Sequence, residues 1–94
     1  MNNESNQEIQ EPYEKFEKLC YDIMGVLNDV LLDYERDYLV SLISHNEGGI
    51  ALEDMIAAIK FHNITLTKLD FDKIETAGKL MGLNRLKWVD LKWK

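Results

Sequence analysis

His45–Met55 reads HNEGGIALEDM, and Leu83–Leu91 reads LNRLKWVDL. In the first stretch Ile50 is followed four residues on by Asp54 and then by Met55. In the second, Leu86 is followed four residues on by Asp90 and then by Leu91. The offset is constant, since 86 − 50 and 90 − 54 are each 36, and helical sequence lies between. An apolar residue, an acid and another apolar residue form a weak pattern alone. Repeated at one offset, they predict two helix-loop-helix units back to back, and so a mainly α fold.

Downstream of the first stretch, LEDMIAAIKFH places Leu52, Met55, Ile56 and Ile59 inward at helical spacing, with Phe61 as a further inward candidate. Lys60 and His62 in the last turn suit the negative end of a helix, and Asn63 just beyond tolerates the left-handed conformation that ends one. Thr67 followed by Asp70 predicts the cap and first-turn acid of another helix. Its apolar face is Phe71, Ile74, Ala77 and Met81, while Gly78 and Gly82 allow close approach by a neighbour. The last stretch, RLKWVDLKWK, alternates well enough for a strand or for a short strand passing into a helical turn.

Upstream, Asn46–Gly49 ends a preceding helix, with Gly48 and Gly49 expected to supply positive φ. Tyr13, Phe16, Cys20, Ile23, Leu27, Val30 and Tyr34 form one face of a long amphipathic helix, with Pro12 suited to its first turn. Tyr34, Tyr38, Leu42 and Ile43 continue the spacing. The helix therefore either runs to about Ser44 or breaks near Leu32–Tyr34, where Asp33 would cap a new helix; helix-length priors favour the break. Residues 1–11, MNNESNQEIQE, are polar and are expected to be a disordered tail, leaving residues 12–94 as one helical domain.

The net charge of −6 is unevenly placed. Residues 1–37 carry −7, residues 38–78 carry −3, and residues 79–94 carry +4. An acidic body repels nucleic-acid phosphates and favours a basic partner. The single cysteine, Cys20, has no internal disulfide partner, which points to a reducing, cytoplasmic setting. No signal peptide and no membrane span are expected.

The repeated block resembles the EF-hand family, in particular one lobe of a calmodulin-like protein or myosin light chain, over Tyr38–Trp93. An EF-hand loop has twelve residues, with a Gly at position 6 and an acid at position 12. With Asp54 at position 12, Gly48 falls at position 6 and Ile50 at position 8. With Asp90 at position 12, Asn84 takes position 6, as a substitute at positive φ, and Leu86 takes position 8. The resemblance implies a short β bridge between Ile50 and Leu86. Positions 1, 3 and 5, which need oxygen ligands for calcium, hold Ile43, His45 and Glu47 in one loop and Lys79, Met81 and Leu83 in the other. The loops implied are therefore EF-hand-like without calcium.

The same elements also fit a winged helix: a helix over 34–45, Gly48–Ile50 as a short strand, helices over 51–62 and 69–82, and a final strand from Arg85. In that arrangement Lys79, Arg85, Lys87 and Lys92 would hold nucleic acid. The third helix, however, balances Asp70, Asp72 and Glu75 against Lys68, Lys73 and Lys79, a poor electrostatic match to DNA.

No catalytic set can be written. Cys20 lies on an apolar helix face with no base beside it, as a buried small residue does. His45 and His62 lack the further Cys or His that a zinc site requires, and read as a loop and a helix-end residue. Asp70 and Asp72 point to different faces of a helix. No nucleophile elbow or phosphate loop occurs.

The expectation is thus a non-enzymatic, calcium-insensitive binding subunit without metal or cofactor. The resemblance implies that it grips a basic amphipathic, IQ-like helix of a partner such as a myosin. The implied groove comprises Leu39, Leu42, Met55, Ile59 and Phe71 with Ile74, Met81, Trp88 and Leu91; taken singly, Met55, Met81, Trp88 and Leu91 each read first as core. The alternative is a small winged-helix regulator of nucleic acid or of another protein.

Overall fold

The computed structural model describes the backbone of residues 3–94 and the side chains of residues 13–94; the tail expected over residues 1–11 lies outside the fully described residues. The elements are α1 (Asn3–Val26), α2 (Asp33–Ser44), α3 (Gly48–Phe61), α4 (Lys68–Leu80) and a 3-10 turn (Arg85–Lys87). The fold is mainly α. The long apolar stripe breaks after Val26, and Leu32 rather than Asp33 takes the cap position of α2. Glu35 Oε1 accepts the Leu32 N–H at 2.8 Å, satisfying a donor that the new helix leaves open.

Three helices stop in the same way. A left-handed residue follows each: Asn46 (φ 63°), Asn63 (φ 55°) and Gly82 (φ 68°). Beyond α4, the Leu83 N–H reaches the Gly78 carbonyl at 2.9 Å and the Gly82 N–H reaches Lys79 at 3.1 Å. Beyond α3, Ile64 and Asn63 make the same pair of bonds to Ile59 and Lys60, each at 3.1 Å. These closures satisfy the last carbonyls of a helix. Beyond α2 the Glu47 N–H reaches Leu42 at 2.8 Å, while the Ile43 carbonyl accepts the Tyr13 hydroxyl. Asn46, not Gly48 or Gly49, therefore supplies the positive φ in this connection. Both glycines belong to the first turn of α3. Gly48 answers a steric demand instead: a Cβ there would lie 2.2 Å from Phe16 Cε2.

α1 packs most extensively on α4 and then on α3, burying Phe16, Cys20, Ile23 and Leu27. Ile43, Leu52, Met55, Ile59 and Ile74 complete the interior, with Trp88 closing one end. Gly78 lets that closure happen, since a Cβ on it would lie 2.3 Å from Trp88 Cζ3. The close approach that Gly78 permits is thus by an indole, not by a helix backbone, and Gly82 serves a helix stop.

The twelve-residue loop register is not kept. Only residues 45–47 separate α2 from α3. Ile50 lies in the first turn of α3 and Leu86 in the 3-10 turn, both exposed, so no bridge joins them. Asn84 has φ −68° and caps the 3-10 turn, accepting the Leu86 N–H at 2.9 Å. Among the described residues the β pairing is a single parallel bridge, Leu66 to Trp93, made by Leu66 N–H to Lys92 and Lys94 N–H to Leu66. The strand at Gly48–Ile50 and the strand from Arg85 expected of a winged helix are likewise a helical turn and a 3-10 turn.

Candidate docking cleft

Tyr34 and Tyr38 stand one helical turn apart on α2, and neither joins the interior. Leu39 and Ile43 are the residues of α2 that do, and they fix which face turns inward. The tyrosines precede that buried pair by one position or more, so they lie round the helix at its edge. They are 70% and 55% exposed. Facing them on α3 are Asp54 and Ala58, again one turn apart. Together with Leu31, Glu35 and Leu39 these residues line a cleft of about 460 Å³. Leu39 is its buried floor, and the small side chain of Ala58 leaves it open.

Acidic side chains line this cleft from both helices, Glu35 on α2 and Asp54 on α3. Among the described residues the ion pairs are Lys60–Asp90, Lys68–Asp72, Lys73–Asp22, Arg85–Glu75 and Lys87–Glu53. None involves Asp33, Glu35, Asp37 or Asp54. The one base of α2, Arg36, turns away to the Asn28 side chain at 2.9 Å and the Asn28 carbonyl at 3.3 Å. The carboxylates beside the exposed tyrosines are therefore left without a counter-charge.

The groove residues implied by the resemblance are brought together, but as closed interior. Leu39, Met55, Ile59, Phe71, Ile74, Trp88 and Leu91 are buried, and Leu42 and Met81 are half-buried. α1 occupies the space that would otherwise be a groove, and only Leu39 also lines the open cleft. Phe61, a candidate inward residue, is 84% exposed, because the core face of α3 ends with Ile59.

The basic residues do not converge. Lys87 pairs with Glu53 at 3.1 Å, Arg85 with Glu75 at 3.4 Å, and Lys92 donates to the Asn63 side chain at 2.7 Å; Lys79 is exposed near the end of α4. Burial pushes the Cys20 thiol up to about 12, which removes its nucleophilic character near neutral pH. The Lys60 ammonium, donating to Asp90, holds that carboxyl below its usual range. Among the described residues no three His, Cys, Asp or Glu side chains gather as a metal set, and no helix is long and apolar enough to cross a membrane.

No family model, no curated protein and no solved structure matches this chain.

Of the cleft residues, Leu39 alone is among the groove candidates. Tyr34 and Tyr38 also fit the spacing of the stripe that starts in α1, and the break before α2 resets the helical phase. Counting from Leu39 and Ile43 alone, the signal was present: two large aromatic side chains off the apolar face, flanked by Asp33, Glu35 and Asp37.

Proposed function

We propose that this chain is a non-enzymatic binding subunit that seats a basic amphipathic helix of a partner protein in the cleft between α2 and α3. One observation carries the proposal: exposed Tyr34 and Tyr38 share an open apolar cleft with Glu35 and Asp54, and among the described residues no base forms an ion pair with those carboxylates. Tyrosines offer large contact area at small entropic cost and anchor many interfaces. The uncompensated carboxylates and the net charge of −6 steer a cationic partner and select against an acidic one.

The EF-hand resemblance supports the proposal in outline only, through helices joined in pairs by short connections. The connection at residues 45–47 is too short for a twelve-residue loop. The partner is therefore specified by its chemistry, a helix with apolar and basic faces, of which a myosin-type IQ segment is one form. Calcium independence rests on the side chains at the would-be ligand positions, above all Ile43 and Lys79.

The test is titration with a designed basic amphipathic helix at two salt concentrations. Binding should fall only moderately with salt, and Tyr38→Ala should weaken it by about 1–3 kcal/mol. A peptide that binds the Tyr38→Ala variant as tightly as the parent chain removes the cleft from the account.

A further inference from the structure

We infer that the partner residue seated in this cleft is an arginine whose guanidinium stacks against the Tyr34 and Tyr38 rings and pairs with Asp54. The inference rests on the docking proposal and specifies the anchor.

The polar lining is acceptor-rich and lies on two helices. On the α2 side, Glu35 already uses Oε1 to accept the Leu32 N–H at 2.8 Å, which leaves its second oxygen for a ligand. On the α3 side, Asp54 forms neither an ion pair nor a side-chain hydrogen bond among the described residues, and it is exposed at the cleft. A ligand satisfying both must present several donors in different directions.

The two phenol rings favour a flat, weakly hydrated cation. A guanidinium is planar, stacks on aromatic faces and carries five N–H donors, so it can lie against a tyrosine and still give a carboxylate two hydrogen bonds. An ammonium is compact and strongly hydrated, and it would lose water to enter an apolar cleft without covering either ring. The cleft is lined mainly by Leu31, Leu39, Ala58 and the tyrosines, and that apolar lining suits the aliphatic stem of such a side chain.

The chain's own guanidinium on this helix is committed elsewhere. Arg36 holds the turn between α1 and α2 through Asn28 and does not line the cleft. The site is consequently open to an arginine from outside.

Two designed amphipathic helices, identical except for arginine or lysine at every basic position, separate this inference from the proposal beneath it. Their affinities are measured against the full chain and against Asp54→Asn and Tyr38→Ala, with the fold of each variant checked by its amide spectrum. Asp54 is exposed, so its amide replacement leaves packing intact. The arginine helix should bind about tenfold tighter than the lysine helix, and either substitution should abolish most of that ratio. Equal affinities for the two helices, or a preference that survives both substitutions, would overturn the arginine anchor while leaving the docking cleft standing. Failure of both helices to bind would overturn the cleft itself.

Discussion

Trp88 lies directly on Gly78. A Cβ added to Gly78 would come within 2.3 Å of Trp88 Cζ3 and 2.5 Å of Cη2, so the indole seals the interior only because position 78 has no side chain. Trp88 is 1% exposed and follows the 3-10 turn, so this contact fastens the segment after α4 to the helical body.

Gly78→Ala should therefore destabilise the fold by about 1–3 kcal/mol, the usual cost of overpacking. That outcome opposes the gain in helix propensity that the same change normally brings. Gly25→Ala supplies the control: it is helical, exposed and has nothing near its missing Cβ, so it should stabilise by about 0.5–1 kcal/mol. Urea titration of both variants checks the pair of opposite signs.

Tyr13→Phe should cost about 0.5–1.5 kcal/mol, because the Tyr13 hydroxyl donates to the Ile43 carbonyl at the end of α2. The loss should be local as well as global. Amide exchange at residues 43–47 should accelerate more than exchange in α4, since this bond ties α1 to the connection between α2 and α3.

How much of this was legible in the sequence depends on whether local chemistry or tertiary phase decided each feature. Thr67 was readable as a cap, and its Oγ1 accepts the Asp70 N–H at 3.0 Å. Asn63 was readable as a left-handed stop. The apolar spacing of Phe16, Cys20, Ile23 and Leu27 and of Leu52, Met55, Ile56 and Ile59 marked buried faces correctly. Gly48 and Gly49 were misread because glycine serves both positive φ and close approach, and only Phe16, far away in sequence, shows which applies at Gly48. The bridge between Leu66 and Trp93 has no periodic signal, since each strand contributes a single residue. The cleft was hidden because the phase of α2 depends on where α1 stops.

Cys20 should make the fold sensitive to alkali. Its pKa is raised from 9.0 to about 12 by burial, reinforced by Glu17, so the folded chain favours the neutral thiol. The stability this contributes is complete below pH 9 and is lost as pH rises toward about 12. Tyr13, also raised from 10.0 chiefly by burial, adds a loss of the same sign above pH 10. Denaturant titrations from pH 8 upward should show falling stability, with a shallower fall in Cys20→Ala. Thiol labelling at neutral pH should proceed only through opening of the fold.

Duplex DNA should bind weakly at physiological salt. Arg85 and Lys87 already face Glu75 and Glu53, and Lys92 holds Asn63, so Lys79 and its neighbours present no continuous basic track. Binding in the micromolar range with a steep salt dependence would favour the nucleic-acid alternative. Tryptophan emission is a poor reporter of cleft occupancy, because Trp88 is already buried and Trp93 packs against Phe71; neither lines the cleft.

The most direct measurement is the map of amide and methyl shift changes as a basic amphipathic helix is titrated into the labelled chain. The account predicts that the largest changes cluster at Leu31, Tyr34, Tyr38, Asp54 and Ala58, while Met55, Ile74 and Trp88 in the interior move little. Changes centred on the interior, with α1 displaced from α4, would contradict the cleft and place the partner in the core groove; saturating peptide with no change at Tyr34 and Tyr38 would contradict it as well.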